Sequence, residues 1–162
     1  MPTTSDYDTP NFDDLLGLFL DRIKQQEKPL LIALLERVAA EKYREWAENK
    51  TFLSERDQLL ECAKREDQIA YKIEQLYSDP KLIQEEITRI VPELEQASGV
   101  LFGNKAIPHQ MAVLAIGERW GSGVWELLAK AETDSKTQEV LLSCRPLEEA
   151  NAAVLERILL TN

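Results

Sequence analysis

The sequence predicts an all-α fold, an antiparallel four-helix bundle built from a duplicated helical hairpin. Three observations predict it. Apolar residues recur at spacings of three and four along nearly the whole chain, and no segment alternates as a strand would. The chain also repeats itself: a shift of 82 residues sets residues 11–76 on 93–158 without a gap. Gly17 then falls on Gly99, Glu36-Arg37 on Glu118-Arg119, Cys62 on Cys144, Glu66 on Glu148 and Glu74 on Glu156. A gapless register of that length points to two copies of one hairpin. Finally, four long segments each carry one apolar seam, the pattern of helices packed around a shared core.

In chain order, residues 1–11 are polar and acidic and read as a flexible tail, and residues 12–162 as a single domain. A short helix is expected over 12–26. Pro29 suits the first turn of a second helix over 29–49. Ser54, with Asp57 three residues on, resembles a capping box for a helix over 53–77. Asp79 and Pro80 read as N-cap and first helical residue of a connecting helix that stops before Pro92, within a crossover over 78–92. Gly99 and Gly103 punctuate the following piece. Pro108 opens a helix over 109–132, and Ser135 with Gln138 starts the last, over 136–160.

Composition limits the function. A net charge of −10 with no cluster of Lys and Arg argues against nucleic acid and anionic lipid as partners. The longest apolar run, Leu30–Leu35, is far too short to span a bilayer, and the N-terminus lacks the basic and apolar regions of a signal peptide. Cys62 and Cys144 form no Cys-x-x-Cys motif and read as small core residues in a reducing, cytoplasmic setting. The only histidine, His109, stands beside Pro108 and off the seams, as a surface or capping residue. No Ser or Cys has a histidine partner in prospect, so no catalytic residue is assigned.

The informative positions are four glutamates. One seam reads Ile32, Glu36, Ala39, Tyr43, Trp46; the second Leu59, Ala63, Glu66, Ala70, Ile73; the third Leu114, Glu118, Gly121, Trp125, Leu128; the fourth Leu141, Cys144, Glu148, Ala152, Leu155. Each carboxylate interrupts an otherwise apolar face, and in a bundle the four converge. Two unit charges 4 Å apart repel by about 4 kcal/mol even at an effective dielectric of 20. Converging carboxylates therefore share protons, pair with inward Arg or Lys, or bind cations. Arg37 and Arg119 adjoin two of them in sequence but point roughly 100° away around the helix. Two divalent metals would balance four glutamates. The aromatic residues Tyr43, Trp46, Tyr71 and Trp125 fit a packed core better than a redox relay.

The stretch "ERVAAEKYREWA", residues 36–47, resembles the first ligand helix of ferritin-like, rubrerythrin-type proteins, with Glu36 seven residues before Tyr43. "CAKREDQIAYKIE" resembles the second, which in that superfamily carries Glu-x-x-His. Glu118, Trp125 and "PLEEANAAVLE" repeat the scheme. The resemblance implies a di-metal carboxylate site with Glu36, Glu66, Glu118 and Glu148 as metal ligands and iron or manganese as cofactor. It also implies two histidines, where this chain has Ile69 and Asn151. Their loss favours manganese or magnesium over a redox-active iron pair. Two functions are expected from this pattern. One is a degenerate, non-catalytic binding or interaction module, as a homodimer or with an unidentified protein partner. The other is a di-metal oxidoreductase or metal-handling protein using carboxylates alone.

Overall fold

The computed structural model describes residues 2–162, and among these every regular element is helical. In chain order the α-helices are α1 (Phe12–Asp21), α2 (Lys28–Ala47), α3 (Arg56–Glu74), α4 (Pro80–Ile90), α5 (Ala97–Phe102), α6 (Ile107–Ala131), α7 (Ser135–Ser143) and α8 (Arg145–Thr161). Short 3-10 turns stand at Thr4–Asp6, Gln25–Glu27, Lys50–Glu55 and Pro92–Gln96. No helix among the described residues is long and apolar enough to cross a membrane.

α2 packs along α3 and α6 along α8. α3 also meets α8, α2 meets α6, and α4 lies across α2. Two apolar clusters fill the interior. One gathers Tyr43, Trp46, Phe52 and Leu59 with Met111 and Leu155. The other gathers Leu30, Ile32, Ile69 and Ile73 with Trp125 and Leu141. The acidic N-terminal segment reaches α6, where Tyr7 lies against His109 with ring centroids 5.4 Å apart.

The local chemistry explains where the helices begin. Asn11 caps α1 by accepting from the Asp14 amide at 3.1 Å. Asp79 caps α4 the same way, from Leu82, with Pro80 in the first turn as expected. Other boundaries differ from the sequence reading. Ser54 caps nothing: the chain from Lys50 to Glu55 is a 3-10 turn capped by Asn49, and α3 begins only at Arg56. α7 is capped by Asp134, one residue before the expected Ser135, through the Thr137 amide at 2.9 Å. Gln138 turns back instead to donate to the Ala129 and Glu132 carbonyls that end α6. The last segment, expected as one helix, is divided between α7 and α8 at Cys144. Pro146 supplies no N–H to the preceding turn, while Cys144 itself keeps helical angles, so the axis continues across a broken hydrogen-bond ladder.

Candidate metal centre

Each of the four glutamates rises from a different helix. Glu36 lies on α2, Glu66 on α3, Glu118 on α6 and Glu148 in the first turn of α8. All four are buried, and each offers a carboxylate oxygen within 4.8 Å of the oxygens offered by the others. The break at Cys144 has a local consequence, because it places Glu148 at a helix start, where the unpaired amides favour negative charge. Glu66, by contrast, sits mid-helix.

Few side-chain donors serve this cluster. The Tyr43 hydroxyl donates to Glu118 Oε1 at 2.6 Å, and the Trp125 indole to Glu148 Oε1 at 2.7 Å. The Asn151 amide donates to Glu66 Oε1 and to the Cys62 carbonyl. Glu66 Oε2 and Glu118 Oε2 are fully buried with no hydrogen-bond partner. A buried acceptor left unmatched costs about 1–3 kcal/mol, and more when charged. Arginine does not relieve the cluster directly. Arg37 pairs with Glu74 and Asp67, and Arg119 with Glu156, all away from the four glutamates.

The protonation of the set follows from this poverty of donors. Burial is the first cause of a raised pKa in every member. Glu36 is pushed well above the usual carboxylate range by burial and then by the charges of Glu148 and Glu66. Glu118 is pushed there by burial and then by Glu66. Burial raises Glu66 to about 7 against the help of the Asn151 amide. Burial also raises Glu148, opposed by the hydrogen bond that the Trp125 indole donates to it. Without cations the four therefore hold protons between them near neutrality. Tyr43 stays a phenol, since burial and the Glu118 charge push its pKa well upward.

The two positions that stand where the resemblance calls for histidine behave differently. Ile69 is fully buried and apolar and has no atom to offer. Asn151 is committed elsewhere: its amide nitrogen faces Glu66, and its oxygen accepts from Arg65 at 3.2 Å. It orients a carboxylate and leaves its oxygen turned away from the cluster. Tyr43 and Trp125, read from sequence as core aromatics, are fully buried core residues that also donate to carboxylates. The available signal was their shared place, seven residues after Glu36 and Glu118. His109 lies outside the cluster, with Nε2 against the Asp8 carbonyl. Cys62 and Cys144 are free and buried, and burial raises both thiols to about 12, which leaves them inert.

The residues present fit hard divalent cations. They supply oxygen ligands only, in a buried setting, with two orphaned oxygens aimed at nothing else. No protein-family model, curated protein or solved structure matches the chain.

Proposed function

We propose that the chain is a ferritin-like, rubrerythrin-type protein, an antiparallel four-helix bundle from a duplicated hairpin, whose Glu36, Glu66, Glu118 and Glu148 hold a pair of divalent cations, manganese(II) foremost. The observation that carries this reading is the convergence of four buried carboxylates with two oxygens unpartnered. Four negative charges in that volume are balanced by two divalent ions or by protons, and ions satisfy the orphaned oxygens where protons satisfy only some of them. Tyr43, Trp125 and Asn151 would then orient Glu118, Glu148 and Glu66 from behind. When bound, such a pair supplies Lewis acidity or redox chemistry. The absence of imidazole ligands favours metal binding over oxygen or peroxide activation, so a metal-handling role ranks above an oxidoreductase.

A second reading, an inherited bundle serving as a non-catalytic interaction module, draws on Ile69 and on the commitment of Asn151 to Arg65. Elemental analysis of freshly purified protein, with melting curves before and after chelation, separates the two. The metal reading expects about two equivalents of manganese or iron and a lower melting temperature after chelation. It also expects Glu66→Ala and Glu148→Ala each to remove the metal-dependent shift. Absence of metal, with no shift when manganese is added back, would overturn it in favour of the module.

A further inference from the structure

The buried glutamates draw their donors unevenly from the two repeats. Tyr43 and Trp125 occupy matched places, yet Trp125 on α6 serves Glu148 within its own half, while Tyr43 on α2 crosses to Glu118 in the other. Glu66 takes its donor instead from Asn151, which arrives from α8. Behind Asn151 stands Arg65 of α3, half-buried, whose guanidinium donates to the Asn151 oxygen at 3.2 Å and lies 3.8 Å from the Cys62 sulfur. Arg37 and Arg119 grip carboxylates across their hairpins, whereas these contacts of Arg65 go to neutral groups. The duplication sets this pair apart. At the 82-residue shift Arg65 falls on Leu147 and Asn151 on Ile69. Ile69 is fully buried in an apolar cluster, and Leu147 packs against that cluster. One of two equivalent places thus holds a polar pair drawn from both halves, and the other holds two hydrocarbon side chains.

Resting on the metal reading above, we infer that Arg65 is a positioning residue for the cation pair and acts through Asn151 to hold Glu66. A guanidinium only donates, so the Asn151 oxygen must face it and the amide NH2 must face Glu66. With Oε1 of Glu66 engaged by that NH2, the unpartnered Oε2 is the atom presented to a cation. Without Arg65 the amide is free to turn over. Its oxygen would then stand against Glu66 Oε1, acceptor to acceptor, and push the carboxylate off its place. The guanidinium charge itself repels cations, but it is half-exposed and screened by solvent, so orientation outweighs repulsion. Partners that orient a metal ligand in this way carry about 10–100-fold in affinity.

Chelated protein tests the first step and manganese the second. In proton–nitrogen correlation spectra of chelated protein, Arg65→Leu should move the Asn151 side-chain amide signals and speed their exchange with water at least tenfold. Arg65→Lys, which also only donates, should restore both. Manganese titrations followed by electron paramagnetic resonance should show binding about tenfold weaker in Arg65→Leu and near wild type in Arg65→Lys. Arg65→Leu combined with Asn151→Ile copies the matched apolar place. It should melt no lower than Arg65→Leu, because no buried amide is left unmatched, and still bind manganese about tenfold more weakly than wild type. Wild-type affinity in Arg65→Leu, or an Asn151 signal that does not respond, overturns the inference and leaves the metal reading standing. Tighter binding in Arg65→Leu would make the guanidinium a repelling charge and overturns it too. A loss that Arg65→Lys does not restore assigns the effect to packing, again against the inference. A wild-type protein that binds no manganese overturns the metal reading itself, and the role of Arg65 with it.

Discussion

At the residue scale, the centre depends on where side chains are missing as much as on where they stand. A Cβ built on Gly121 would meet Glu148 Oε1 at 2.8 Å and its Cδ at 3.1 Å. Trp125, one turn further along the same helix, donates to that same oxygen, so the carboxylate has little freedom to yield. Gly121→Ala should therefore displace Glu148, lower the melting temperature modestly and weaken manganese about tenfold in a titration followed by electron paramagnetic resonance. Gly123 is the matched control. It lies two residues on in the same helix, exposed, and a methyl placed there would meet nothing within 4 Å. Gly123→Ala should stabilise the protein by up to about 1 kcal/mol, because it only removes the entropic cost of a helical glycine. Opposite signs at these two positions, read by denaturant unfolding, distinguish a steric role from helix propensity, and equal signs reject it. The four glutamates were legible in the sequence because each interrupts an apolar seam at a fixed phase. Their donors were not. Tyr43 reaches across to Glu118 on α6, while Trp125 turns to Glu148 on α8, and those choices depend on how the helices are rotated against one another.

At the element scale, paired helices are fastened by ion pairs that recur at the 82-residue shift. Arg37 on α2 grips Glu74 on α3 through two hydrogen bonds, at 3.2 and 2.9 Å. Arg119 on α6 grips Glu156 on α8 likewise, at 3.1 and 2.9 Å. These are planar two-point contacts, the strongest form such a pair takes. The arginine side chains are nevertheless 41% and 48% exposed, so solvent screens both pairs. A double-mutant cycle on Arg37→Ala and Glu74→Ala should return a coupling of about 0.5–1 kcal/mol that shrinks in 1 M salt. A coupling well above that, insensitive to salt, would show that burial rather than exposure governs the pair. Helix cores were readable from periodicity, and α2 and α6 lie within two residues of the expected spans. Helix ends were less so. Ser54 and Ser135 carry the right chemistry for caps, but Asn49 and Asp134 are better placed when the chain turns. Pro146 gives the ladder break at Cys144 a simple cause, and periodicity passes straight over it because the helix axis continues.

At the scale of the whole molecule, the buried carboxylates make stability depend on pH in a direction that cations reverse. Glu66 has a folded pKa of about 7 against an ordinary value of 4.5, and Glu36, Glu118 and Glu148 are also raised. A raised carboxylate holds its proton in the folded state after the unfolded chain has released it. Its contribution is fully present below pH 4.5 and is lost as pH climbs through the folded value. Each such proton gives a slope of about 1.4 kcal/mol per pH unit inside that window. The surface carboxylates with lowered pKa, among them Glu86 and Glu93, act below it and with opposite sign, losing their contribution as pH falls. Chelated protein should thus lose stability between about pH 4.5 and pH 7. Manganese requires the same carboxylates deprotonated, so loaded protein should gain stability over that interval as binding strengthens. Denaturant unfolding at half-unit steps from pH 4.5 to 8, with chelator and with excess manganese, measures both slopes. Curves that diverge as pH rises tie the buried charges to the cations. Parallel curves mean that protons alone balance the four glutamates, and the centre is then a polar core without a metal.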